Sequence, residues 1–138
     1  MNNGSDLRSW GIALLRVAVG VIFVMHGWQK LSWGFHDVAG FLNSLGIPQP
    51  TVAAVLLTTV ELLGGIALIL GLLTRYAAAL LAIDMLVAII TYHGKHGFFL
   101  PSGVEFVMLV LTANINLMLA GAGALSVDAF RRKIGSGS

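Results

Sequence analysis

Apolar residues run almost without interruption through four stretches, about Trp10 to Trp28, Val52 to Leu73, Tyr76 to Tyr92 and Val104 to Ala122. Each approaches the roughly 20 residues that a helix needs to cross a hydrocarbon core. Lipid satisfies no backbone hydrogen bonds, so each run predicts a helix. The alternating short segments of a membrane β-barrel are absent. The pattern predicts an all-α integral membrane protein, a bundle of four transmembrane helices. Thr74-Arg75 predicts a tight turn that makes the second and third spans an antiparallel hairpin. Between spans one and two, Phe35 to Leu42 places apolar residues at helical spacing and ends at Gly46-Ile47-Pro48. That segment predicts a short interfacial helix. His93 to Gly103 holds three glycines and Pro101 and predicts a turn-rich cap. Residues 1–134 then form one membrane domain, and 135–138 (Gly-Ser-Gly-Ser) read as a linker-like tail.

The polar residues inside these runs carry the chemistry. A charge at the centre of a span costs at least about 2.5–3.5 kcal/mol on insertion scales, so it faces protein or water. Glu61 lies at the middle of the second run, and Arg16 and Asp84 repeat the pattern in the first and third. Residues spaced by three, four and seven share a helix face. Arg16, Gly20, Phe23, Gly27 and Lys30 form one stripe, and Thr58, Glu61, Gly65, Leu68 and Leu72 a second. Ala77, Asp84, Ala88 and Thr91 form a third, and Glu105, Thr112, Asn116 and Gly123 a fourth. Four such faces meet in a bundle centre, where small residues allow close approach and polar ones bond across helices. At about 1.5 Å per residue, Arg16 and Asp84 come out at similar depth, roughly 10–12 Å from one end. Arg16 is therefore expected to pair with Asp84, with Glu61 within reach. His26, His93, Lys30 and Glu105 are expected to gather at the other end. Such pairs can also serve only to fix helix register, and Glu105 can simply cap a helix N-terminus.

Composition narrows the class further. The chain is 57% hydrophobic and 10% charged, against about 25% charged in a soluble domain. Its mean hydropathy is +0.91. No basic stripe with interleaved aromatics is present, so nucleic acid is not an expected partner. The chain has no cysteine, which excludes thiol catalysis, disulfides and thiolate metal sites. The first run contains Arg16, is long, and has no small-x-small cleavage site after Met25-His26-Gly27-Trp28, so it reads as a retained span rather than a signal peptide. With four spans, Arg8, Arg75, Arg131, Arg132 and Lys133 share one side and Lys30 and Lys95 the other, which predicts cytoplasmic termini.

The histidines are candidate metal or haem ligands by residue type. His93-x-x-His96 has a plausible ligand spacing, but a bis-His haem needs histidines on facing helices within the membrane. Here they sit at span ends and in a glycine-rich loop. Haem and metal are therefore not expected, and a quinone is the better fit to an apolar cleft with His and Glu partners. No nucleophile elbow, phosphate loop or zinc-protease signature occurs. Ser126-x-Asp128 reads as a helix stop and cap.

Taken together, Leu15-Arg16, Gly20, Phe23, His26-Gly27, Lys30-Leu31, then Glu61-Leu62-Leu63-Gly64-Gly65, Leu70 to Arg75, Glu105 and Gly121 to Asp128 resemble the DoxX family of small four-span bacterial membrane proteins. The glutamate-x-x-Gly-Gly element with its following Gly-Leu-x-Thr-Arg turn is the most specific part. One member of that family is a subunit of an archaeal thiosulfate:quinone oxidoreductase. Others are associated with oxidative stress, thiol handling or the catabolism of aromatic and quinone compounds. The resemblance implies a bacterial inner-membrane protein that serves as a subunit or scaffold of a redox system, with a redox protein or a second copy as partner. Arg16, His26, Lys30, Glu61, Asp84, His93, Glu105 and Asn116 are the candidate quinone-binding or proton-handling residues. A small proton-coupled carrier using Glu61 and Asp84, or a structural assembly factor, are the alternatives. Against a carrier, no inverted repeat is evident.

Overall fold

The structure is a computed structural model that describes residues 3–136. Six α-helices follow in order: α1 (Asn3–Trp33), α2 (Phe35–Ser44), α3 (Pro50–Leu70), α4 (Thr74–Thr91), α5 (Glu105–Ala120) and α6 (Val127–Gly135). A 3₁₀ turn over His93–His96 joins α4 to α5. No strand occurs among the described residues. The helices α1, α3 and α4 are each long and apolar enough to cross a membrane, while α5 is apolar but only 16 residues long.

The first helix is much longer than its apolar run. Its 31 residues span about 46 Å. Asp6 in the first turn and Lys30 in the last suit the helix dipole. The chain breaks only at Gly34, whose φ of +88° an L side chain rarely adopts. The expected short helix is present as α2, which turns Val38, Ala39 and Leu42 inward against Ala53, Ala54 and Leu57 of α3.

The hairpin between α3 and α4 is displaced from its expected position. Thr74 and Arg75 already belong to the first turn of α4, and the reversal occupies residues 71–73. Gly71 closes α3 with φ +66°, its N–H donating to Leu68 O at 3.1 Å while Leu72 N–H donates to Ala67 O at 2.9 Å. This is a Schellman closure, which favours glycine at that position.

Between α1 and α3 the backbones approach directly. A Cβ on Gly20 would lie 2.8 Å from Gly65 O, and one on Gly65 would lie 2.7 Å from Gly20 O. Small residues permit this contact, and in lipid such packing is a main source of helix association. Above and below it, Val19, Phe23, Leu68, Ala77, Ala78, Leu81, Val110, Ala113 and Leu117 form the core, drawn from α1, α3, α4 and α5. Most other large apolar side chains face outward.

Candidate functional site

The two stripes read on α1 and α3 are the faces these helices bury. Arg16, Gly20, Phe23 and Gly27 are buried with Lys30 at the edge, and Thr58, Glu61, Gly65 and Leu68 face them. At the top of this contact Lys30 Nζ donates to Glu61 Oε2 at 2.7 Å. Both side chains are largely enclosed, at 17% and 4% exposure. Side chains on a helix lean towards its N-terminus, which carries the Lys30 ammonium down to Glu61. Asp84 of α4 brings its carboxyl within hydrogen-bonding reach of Glu61 and within the field of Lys30. Its Oδ2 is buried and finds no N–H or O–H donor among the described residues. Three helices thus converge on a cluster of two carboxyls and one ammonium.

The expected Arg16–Asp84 pair does not form. Arg16 Nη2 instead donates to Leu125 O at 2.9 Å and to Ala124 O at 3.4 Å, in the segment after α5. The guanidinium lies against Gly71. Arg16 and Asp84 do not share a depth, because the spans do not start at a common level. α1 overshoots, so Arg16 sits level with the α3–α4 turn. Counting outward from that turn gives the right answer: Glu61 precedes Gly71 by ten residues and Asp84 follows Thr74 by ten, so both lie about 15 Å from the turn. Arg16 is only 1% exposed, and its Nε and Nη1 have no hydrogen-bond partner among the described residues.

The other expected residues divide. His26 is exposed on the bundle surface and feels the charges of Lys30 and Glu61, so it borders the cluster. His93 Nδ1 lies 2.7 Å from Ser102 O, and Glu105 Oε1 accepts from Leu100 N–H at 2.6 Å. These two hold the 93–105 connection together, apart from Lys30. On α5 the predicted stripe is the wrong face: Thr112 and Asn116 are exposed, and the buried residues are Val107, Val110, Ala113, Asn114 and Leu117. Asn114 is the residue sequence reasoning missed. It is fully buried, its Nδ2 donates to Val110 O at 3.0 Å, and its Oδ1 is unpartnered. Its spacing of four from Val110 and three from Leu117 was the available signal.

At the opposite end, Ser126 and Asp128 act as caps, as the sequence predicted. Ser126 Oγ accepts from Ala129 N–H at 3.1 Å and starts α6. Asp128 reaches across to accept from the N–H groups of Leu73 and Thr74, each at 2.9 Å. Burial pushes the Asp128 carboxyl up, but these two N–H groups, with Arg131 nearby, hold it below the usual carboxylate range. A depressed carboxyl stabilises the fold above its unfolded value of about 3.9, and that contribution is lost as pH falls through the folded value. Amide exchange across α6 is therefore expected to stay slow from neutral pH to about pH 4 and to rise below it, after correction for intrinsic rates. In Asp128→Asn it should be faster at neutral pH and lack that rise.

A buried charged cluster in an all-helical bundle with several membrane-length helices defines a multi-pass membrane protein. The chain belongs to the DoxX family, whose model matches residues 11–94. It is 37% identical to the putative oxidoreductase CatD of Bacillus subtilis over 120 residues, covering 87% of this chain and 86% of that one. It is 33% identical to the inner membrane protein YphA of Escherichia coli, covering 85% and 87%. It is 32% identical to the uncharacterized membrane protein Rv3486 of Mycobacterium tuberculosis, covering 91% and 90%. No solved structure matches the chain significantly.

Proposed function

We propose that this chain is a bacterial inner-membrane subunit of a quinone-linked redox system, and that Lys30, Glu61 and Asp84 form its proton-handling site. The observation that carries the reading is the contact of two enclosed carboxyls beside one ammonium, with Asp84 Oδ2 lacking a donor. Two carboxyls against one ammonium balance in charge when the cluster holds one proton. A proton between Glu61 and Asp84 also supplies the donor that Oδ2 lacks. A quinone becomes a quinol by taking two electrons and two protons. This cluster can pass protons to a ring oxygen, and the electrons come from a partner protein. His26, on the surface beside the cluster, stands where a quinone head group would arrive from lipid. The name of the Bacillus subtilis relative, putative oxidoreductase CatD, agrees with this reading.

In this reading α5 is the fourth span and α2 lies in the interface. Arg8, Arg75, Arg131, Arg132 and Lys133 are at the end that carries both termini, which favours cytoplasmic termini. Lys30 no longer counts for the other side, because it is committed to Glu61. The outward apolar faces suit lipid or a second copy of the chain.

The test is quinone binding by the protein in lipid nanodiscs, with a short-tailed quinone as probe. Asp84→Asn keeps the shape and removes the titrating group, and it is expected to weaken binding at least tenfold and abolish its pH dependence. Unchanged binding in Asp84→Asn would sink the assignment. A second reading, a proton-coupled carrier, is favoured by the depth of Glu61 and Asp84, about 15 Å from the α3–α4 turn. It would be supported by no quinone binding together with a pH-driven proton flux that Asp84→Asn removes.

A further inference from the structure

The end of the bundle remote from the charged cluster carries a separate site. A cavity of about 460 Å³ opens between the start of α4, the end of α5 and α6. Arg75, Arg131 and Arg132 line it, with Asp128 as the acidic member. Three guanidiniums against one carboxylate leave a local charge of +2, and that carboxylate is already engaged by the N–H groups of Leu73 and Thr74. Arg75 is held in place by its bond from Nη1 to Met118 O at 3.2 Å.

Directly beside it lies a second hollow of about 300 Å³, in the groove between α3 and α4. Its lining is almost wholly apolar, with Leu63, Gly64, Ala67 and Leu80 along its length. Leu73 and Tyr76 line both hollows, so the basic cavity and the apolar groove adjoin at these two side chains. Along α3 the groove extends from Thr59 to Ala67, about 12 Å, and it reaches the turn at Leu72 and Leu73. The α6 helix beside the basic cavity is itself amphipathic, with Val127, Phe130 and Ile134 exposed beside Arg131, Arg132 and Lys133. Such a helix lies along a bilayer surface.

A basic cup at the end of membrane helices, adjoining an apolar groove along them, has the shape and charge of an anionic phospholipid. We propose that this chain binds one, with the phosphate at Arg75, Arg131 and Arg132 and an acyl chain along the α3–α4 groove. Arginine forks match phosphate oxygens bidentately, and basic pockets at the ends of membrane helices hold lipid head groups. The site shares no residue with the Lys30–Glu61–Asp84 cluster and does not depend on its function.

Native mass spectrometry of the full chain tests this, with phosphatidylglycerol and phosphatidylcholine of identical acyl chains as probes. Wild-type protein is expected to retain phosphatidylglycerol at least tenfold more tightly. Arg131→Gln with Arg132→Gln keeps the Arg75 bond and should lower that preference at least fivefold. Leu63→Trp, which fills the groove, should weaken both lipids. Equal retention of the two lipids by wild type, or an unchanged preference in the double arginine variant, overturns the proposal. Competition by glycerol phosphate as strong as by phosphatidylglycerol would also overturn it, because the cup would then serve a soluble anion.

Discussion

Glu61→Gln is expected to lower the stability of the purified protein by about 3 kcal/mol, read as the unfolding midpoint in detergent by circular dichroism. Removing one member of a buried ion pair strands the other, at about 3–5 kcal/mol. The lower end applies because the Asp84 carboxyl remains beside Lys30 to balance its charge, and because Lys30 keeps 17% exposure and its long stem can move the ammonium towards water. Replacing both partners with apolar groups, as in Lys30→Met with Glu61→Leu, leaves Asp84 as a neutral acid and should return stability to within about 1 kcal/mol of wild type, since replacing a whole buried pair is often neutral. The pair of variants separates two roles. A double variant that is stable but binds no quinone assigns the ion pair to chemistry. One that is stable and fully active reduces it to a register pin, and a Glu61→Gln protein as stable as wild type would remove even that.

The second large effect falls on Gly71. Alanine there must adopt a left-handed backbone, at about 1–2 kcal/mol. Its Cβ would also land on the Arg16 guanidinium and on Ser126, and overpacking of this kind adds about 1–3 kcal/mol. Gly71→Ala is therefore expected to cost about 3 kcal/mol and to release the segment around Leu125 that Arg16 holds. Rapid cleavage by protease after α5, absent in wild type, is the second readout. Gly11→Ala is the control: nothing lies within 4 Å of a Cβ built there, and alanine in a helix interior is favoured over glycine by about 1 kcal/mol. A Gly71→Ala protein that matches Gly11→Ala in stability would show that Arg16 tolerates displacement.

The buried faces of α1 and α3 were legible because their glycines and charges repeat at helical spacing, and nothing else competes for that face. The face of α5 was not, because Asn114 and Asn116 lie two residues apart and point to nearly opposite sides. The amide alone does not say which side is inward, and only the apolar residues at 107, 110 and 117 decide it. The pairing of Arg16 with Asp84 was misread for a different reason. Hydropathy marks where apolar residues occur, but not where a helix with polar ends begins and ends. Since α1 runs on beyond its apolar run at both ends, every depth measured from Trp10 was shifted. The turn after α3 was a better reference, because an antiparallel hairpin fixes which residues lie opposite each other. The destination of Arg16 was beyond sequence reasoning altogether, because its acceptors are backbone carbonyls that any residue type supplies.

The close approach of Gly20 and Gly65 has a mechanical consequence. It welds α1 to α3 backbone against backbone, while α4 packs chiefly on α5. The molecule therefore packs as two helix pairs, α1–α3 and α4–α5, that share one apolar core and are joined at residues 71–73. Lys30 and Glu61 lie in one pair and Asp84 in the other. The charged cluster therefore bridges the seam between the two pairs, and among the described residues it is the one polar tie in an otherwise apolar contact of α1 and α3 with α4.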